Sequence, residues 1–268
     1  EGRDYVLDLF WAEGHYERFP TLLEAALGRR PAIILVATIA SARAAQQATK
    51  TVPIVMMGLN DPVGSGLVAS LARPGGNTTG MATMNEDRAA KLVEFIREAM
   101  PKAKRLAVLI NPLNPSNHPI FQSLQRAAKS AGMAAAAFEA SSPERIGDAF
   151  TALYKRRPDA LVAGFDSMLA DRRAQIVSLG VARKIPVVAT NSAFADAGAL
   201  IAFGVPPSNS INRQVAVYVK KILAGEKPGN LPVQQPTNFE LLVNLKTAKI
   251  LGLKLPPAFL LRADRVVE

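Results

Sequence analysis

The chain has 268 residues, 49% hydrophobic and 20% charged, with 18 Gly, 19 Pro and no Cys. That length allows one large domain or two of about 100–150 residues. The apolar fraction excludes disorder, and no window nears the ~18 consecutive apolar residues of a membrane-spanning helix. The absence of Cys excludes disulfides, thiolate metal sites and cysteine nucleophiles, and leaves the redox compartment open.

A formal charge of +10 tempts nucleic acid as a partner. The basic residues are scattered as pairs such as Arg29-Arg30, Arg172-Arg173 and Lys220-Lys221, without interleaved aromatics. A solvated surface and no nucleic-acid partner are therefore expected.

In chain order, Glu1-Gly2-Arg3-Asp4 has neither the basic nor the apolar region of a signal peptide. Residues 5–11 read as a strand with nothing before it, which suggests an absent segment upstream of Glu1. Residues 33–37 (IILVA) form a short apolar run after Pro31, fitting a strand buried on both faces. A helix follows over 41–49 and a similar strand over 53–57. Residues 64–72 read as a helix stopped by Arg73-Pro74-Gly75-Gly76, and 78–82 as a short strand. Ala89, Leu92, Val93, Ile96 and Met100 have helical spacing, predicting a helix over 87–100.

Next come a strand over 105–110 (RLAVLI), a helix over 120–131 closed by Gly132, and a weak strand over 134–138. A helix over 143–154 has Ser141 or Ser142 as its cap. Then follow a strand at 160–163, a helix at 171–183, and strands at 186–190 and 200–203. An amphipathic helix over 208–224 ends at Gly225. Residues 239–244 form a strand and 245–251 a short helix ending at Gly252. Strands separated by helices imply right-handed βαβ crossovers and an α/β, mostly parallel, doubly wound arrangement. About nine or ten strands favour two five-stranded sheets over one, with 75–85 (GGNTTGMATMN) the natural boundary.

Hydrolase chemistry finds little support. The two His are His15 and His118, and His118 reads as a surface loop residue. There is no G-x-S-x-G elbow, no H-E-x-x-H pair, no carboxylate cluster with metal-ligand spacing and no G-x-x-x-x-G-K-[ST] loop. No metal or cofactor is expected. Gly64-Ser65-Gly66-Leu67-Val68-Ala69 formally matches G-x-G-x-x-A, yet no acid ends a strand about 20 residues on, as a dinucleotide site needs. The competing explanation is a small-residue helix start packed close to the sheet.

The strand ends carry more information, because open α/β sheets bind ligands beyond the carboxyl ends of their strands. Thr38, Ala40 and Ser41 follow 33–37. Asn60, Asp61 and Pro62 follow the second strand, and Asn111, Asn114 and Ser116 follow 105–110. Asp166 and Ser167 follow the strand ending near Gly164, and Thr190, Asn191 and Ser192 follow 186–190. Each residue alone is as good a cap or turn former. Five such ends together describe a binding crevice without a base or nucleophile. Helix N-termini after Thr38 and Asp61 would favour a carboxylate. Asp166 or Asp61 would pair with an ammonium, and Phe194 or Phe203 would serve as an apolar wall or, equally, as core. Asp166→Ala is expected to weaken ligand binding and to leave the apo melting temperature nearly unchanged.

Specific stretches carry a resemblance: residues 51–55 (TVPIV), 61–80 (DPVGSGLVASLARPGGNTTG), 107–115 (AVLINPLNP), 194–204 (FADAGALIAFG) and 231–257 (LPVQQPTNFELLVNLKTAKILGLKLPP). Together they make the chain resemble, over essentially its whole length, the solute-binding proteins of bacterial ABC importers. The match is to the tryptophan/tyrosine-type group of type I periplasmic-binding-protein folds. The resemblance implies two doubly wound lobes joined by three crossings, near 80–85, 203–207 and 231–237, with a small ligand between them. Lobe one would be residues 1–82 plus 206–232, and lobe two 83–205 plus 233–268.

It also implies a leader, a first strand and a first helix before the segment matching 6–14. Here they are absent, pointing to a trimmed chain, a gap in the structure or a truncated gene product. The function implied is a periplasmic, or lipid-anchored extracytoplasmic, solute-binding component that is not an enzyme. Its partners would be a small-molecule ligand, such as an aromatic or other amino acid, and an ABC permease. A monomer is expected, with a swapped dimer as the alternative. The rivals are a ligand-sensing regulatory module and a nucleotide-cofactor-dependent enzyme on the same fold.

Overall fold

The computed structural model describes residues 5–206 and 211–268. The chain divides into two compact units, Glu1–Ala82 with Ile211–Gln235, and Thr83–Ser210 with Pro236–Glu268. It is an α/β structure with one sheet in each unit.

Unit 1 begins with α1 (Phe19–Gly28), started by Pro20 in its first turn. Then come β1 (Ile34–Val36), α2 (Ile39–Ala48), β2 (Ile54–Asn60) and β3 (Thr78–Thr83). The sheet order is β1-β2-β3, with β1 and β2 parallel. Ile34, Val36, Ile54 and Met56 pack with α2 residues such as Ala42 and Ala45 in one core. Val55 and Met81 pack on the opposite face against Val215, Tyr218 and Ile222. Those three residues lie on the helix that returns to this unit, described below.

β3 crosses β2 closely. Gly80 has φ +125°, and a Cβ there would lie 2.5 Å from both Met56 N and Met56 O. Only glycine tolerates that approach and that dihedral. β3 is also tied to the returning chain. Thr79 Oγ1 donates to Leu231 O, Gln234 N to Gly80 O, and Ala82 N to Gln234 O.

Unit 2 runs α3 (Asn85–Ala99), β4 (Arg105–Ile110), α4 (Asn117–Ser130), β5 (Ala134–Glu139), α5 (Ile146–Lys155), β6 (Ala160–Ala163), α6 (Ser167–Asp171), α7 (Arg173–Ala182), β7 (Val187–Ala189), α8 (Ala193–Asp196) and β8 (Ile201–Gly204). The chain then supplies α9 (Ile211–Leu223) to unit 1. It returns for β9 (Glu240–Asn244), α10 (Leu245–Leu251), α11 (Pro257–Leu260) and β10 (Arg265–Val267). The order is β10-β9-β8-β7-β6-β4-β5, parallel except for β8 against β9. Between those two strands the chain leaves unit 2 and re-enters it, so no βαβ crossover constrains their direction. Both faces are covered, by a core around Leu92, Ile96, Val108 and Leu124 and by another around Leu109, Phe150, Leu161 and Ile176.

Several expectations need correction. Residues 5–11 form no strand, and their apolar side chains are exposed, Val6 at 81% and Trp11 at 64%. Among the described residues no neighbouring strand pairs with them, and an alternating pattern without a hydrogen-bonded partner has nothing to hold it extended. Among the described residues the sheets have three and seven strands instead of five and five. β1 is an edge strand buried on one face, with Leu35 pointing outward at 36% exposure.

Residues 64–72 are a succession of turns. Asp61 sits at φ 38° and Gly66 at φ 71°. The N–H groups close locally, Ser65 onto Asp61 O, Gly66 onto Val63 O, and Leu67 and Val68 onto Pro62 O. The helix expected over 171–183 begins at Arg173, after the separate short α6. The first residues expected for the 208–224 helix, Ser208 included, lie outside the described residues; from Ile211 onward α9 is helical.

Candidate functional site

The sequence points to the strand ends of each unit. In unit 1, Thr38 caps α2. Its Oγ1 accepts from Ser41 N at 3.0 Å, and Thr38 N donates to Ser41 Oγ at 3.1 Å, a reciprocal capping box. Both hydroxyls are buried and bonded to each other at 2.9 Å. The Ile39 and Ala40 N–H groups precede the first intrahelical acceptor geometry and lie at the positive end of the ten-residue helix dipole. Ala40 thus offers backbone where Thr38 and Ser41 offer caps.

Asp61 is exposed and spends Oδ1 on Gly64 N at 2.8 Å. The helix N-terminus expected after it does not exist, so the carboxylate-binding dipole predicted there is withdrawn. The G-x-G-x-x-A match falls in the same turns and opens no helix, which removes the basis of a pyrophosphate site.

Unit 2 brings a tight polar cluster to the ends of β4 and β6. Asn111, Asn114 and Asp166 are all buried. Asp166 Oδ2 accepts from Asn114 Nδ2 at 2.8 Å and from Asn111 Nδ2 at 3.4 Å. Its Oδ1 accepts from Leu169 N at 3.2 Å as the N-cap of α6. Asn111 Oδ1 accepts from Leu113 N, and Asn114 Oδ1 from Ser116 N, each at 3.0 Å. Asn117, which the sequence did not single out, locks the same loop, accepting from Asn111 N at 2.9 Å and donating to Phe165 O at 3.2 Å. The carboxylate is thus held by amides. Ser167, half-buried, follows it at the start of α6.

At the end of β7, Asn191 Oδ1 accepts from Ala193 N at 2.9 Å, and Ser192 Oγ donates to Val205 O at 3.1 Å. Phe194 lies fully inside the core, beside Gly164, and offers no face outward. Phe203 is half-buried and stacks edge-on against Phe95 at 5.2 Å. His118 is exposed, with Nε2 2.9 Å from Gln122 Nε2.

One group at this rim escaped the sequence reading. Arg88 donates through Nη2 to Thr190 O, and its guanidinium lies 5.7 Å from the Phe239 ring centroid. Its Nε is enclosed without a hydrogen-bond partner, and so is Thr190 Oγ1. Burial pushes the guanidinium down to about 10, which leaves it charged at neutral pH. The signal was available: Arg88 stands four residues before Leu92, a charge on the apolar stripe of its helix. Among the described residues no group of three or more His, Cys, Asp or Glu side chains could hold a metal ion. What the arrangement can do is donate and accept hydrogen bonds and present charge.

Comparison with known proteins bears on what that serves. The family model described as "ABC transporter substrate binding protein" matches residues 7–267. A curated relative, the "Tyrosine-binding protein" of Clostridioides difficile, is 28% identical over 214 residues, 80% of this chain; the chain spans 61% of that protein's length. A conserved domain protein of Vibrio cholerae has a crystal structure with TM-score 0.91 and 28% identity, covering 99% of this chain and 88% of that one. An ABC domain from Streptococcus pneumonia, crystallised with L-Trp, gives TM-score 0.87 at 24% identity, covering 97% and 87%.

Proposed function

The chain belongs to the ABC transporter substrate-binding protein family, and from that premise we propose that it captures a small aromatic amino acid outside the cytoplasm and passes it unaltered to an ABC permease. The observation that carries this is the set of hydrogen-bonding groups at the carboxyl ends of parallel strands in both units: Thr38, Ala40 and Ser41 in one, Asn111, Asn114, Asp166, Ser167 and Asn191 in the other. These groups bind and orient, and none is placed as a nucleophile with its base. The similarity to the tyrosine-binding protein of Clostridioides difficile supports an aromatic amino acid. Asp61 and Phe194 contribute less than their strand-end positions promise, one through its exposed turn and the other through its burial.

Binding selects one arrangement of the chain from an ensemble. The permease recognises that arrangement, and the binding protein acts as a monomer. No helix of the described residues is long and apolar enough to cross a membrane.

Calorimetry against aromatic and other amino acids, purines and small carboxylates tests the proposal. Aromatic amino acids should bind at micromolar or tighter Kd, and the ligand recovered after incubation should be chemically unchanged. Heat from nucleotides alone, or a converted product, would replace it with the enzyme reading. Solution scattering should differ between the free chain and the chain saturated with ligand.

A further inference from the structure

We propose that Arg88 and Thr190 form an anion subsite at the rim of unit 2 that receives the carboxylate of the captured solute. This rests on the solute-binding function proposed above and names the part of the solute that the site selects.

Arg88 carries a charge with no carboxylate beside it among the described ion pairs. Arg88 lies in the first turns of α3, on the stripe that includes Leu92 and Ile96. An apolar side chain would serve packing there, and a cation without a counter-charge is costly to bury. Arg88 lies against the Thr190 carbonyl and the face of Phe239, which attract a cation weakly and do not neutralise it.

The second observation is independent of the charge. Thr190 Oγ1, at the same strand end, is an enclosed hydroxyl without a partner, as is the Arg88 Nε. Enclosed polar atoms of that kind are rare in folded proteins and call for an explanation. A carboxylate supplies what both lack, a negative charge and oxygens that accept from Nε–H, Nη–H and Oγ–H together. The position agrees with the rule for open parallel sheets, because Thr190 immediately follows β7 at its carboxyl end. Arg88 as a residue is part-buried, whereas its Nε is enclosed.

The full chain, with Arg88→Gln and Arg88→Lys beside it, is titrated with L-tyrosine, L-tyrosinamide and 3-(4-hydroxyphenyl)propionate. The wild type should bind the two carboxylates at least about tenfold more tightly than the amide. Arg88→Gln should weaken both carboxylates by about 10- to 100-fold, the range of a charge-assisted hydrogen bond, and leave the amide unchanged. Arg88→Lys should restore part of the difference, and its apo melting temperature reports on folding if the Gln variant is unstable.

An amide that binds the wild type as well as tyrosine does overturns the subsite while the aromatic-solute function stands. So does an equal loss for all three ligands in Arg88→Gln, which would make Arg88 a strut for Thr190 and Phe239. Binding of the propionate without tyrosine keeps the subsite and overturns the amino-acid reading. A wild type that binds none of the three overturns both.

Discussion

β1 of unit 1 and β6 of unit 2 are both short, apolar, parallel strands, and they carry equivalent-looking Leu residues. Leu161 in β6 is completely enclosed between neighbours on both sides and helices on both faces. Leu35 in β1 sits on an edge strand and leaves a third of its surface in solvent. A continuous apolar run therefore announces a strand but not how many of its faces are covered. Coverage depends on the number of strands the unit gathers, among the described residues three in one and seven in the other.

That contrast can be broken most directly by truncation. Leu161→Ala should cost ~2–5 kcal/mol, whereas Leu35→Ala should cost under ~1 kcal/mol, measured by denaturant unfolding. Equal losses would show that the outward face of β1 is covered in solution. Next in size, Gly80→Ala should cost roughly 2–4 kcal/mol, because the new Cβ would strike the backbone of Met56 in a left-handed conformation. Its effect should appear as amide exchange accelerated across β2 and β3, with β4 and β6 unaffected.

Asp166→Ala should cost about 1–3 kcal/mol, since it leaves two buried amides and the first turn of α6 without their acceptor. This departs from the sequence-based expectation of an unchanged apo melting temperature. A melting curve identical to wild type would mean that water replaces the carboxylate.

The smallest effect is one of pH. The Lys91 hydrogen bond holds the Glu94 carboxyl below its usual value, aided by Arg262. A depressed carboxyl stabilises the fold above its unfolded pKa, and that contribution disappears as pH falls through the folded value. The pair is about a third solvent-exposed and therefore screened, so Glu94→Gln should remove only a few tenths of a kcal/mol near neutral pH and nothing in acid. A difference that persists in acid would assign the effect to packing.

Much of the fold was legible because periodicity is a local property. β4, β6 and α10 occupy the residues that their apolar patterns indicated, and the mixed parallel α/β class followed from their alternation with helices. α1 was not read, although Pro20 and the Leu22-Leu23 pair mark its start. The three-residue β10 has no periodicity to read and exists by pairing with β9. Residues 64–72 failed for the opposite reason: their composition suits a helix, but the turn set by Asp61 and Gly66 consumes the N–H groups first.

The polar residues at strand ends were visible as types, whereas their bonding was not. Asn111, Asn114 and Asp166 are 55 residues or fewer apart and meet only because β4 and β6 are adjacent. Arg88 and Thr190 are separated by 102 positions, a pairing that no spacing rule contains.

The bonds between β3 and residues 231–234 have a mechanical meaning. Gln234 N and Ala82 N stitch two of the chain's three passages between units into a double ribbon. α3 begins at Asn85, so on one of those passages Met84 alone lies between a strand and a helix. Torsional freedom at that junction is correspondingly scarce. The pairing fixes the register of residues 231–234 against β3, so the two segments order together and the entropy of ordering a second, independent segment is spared.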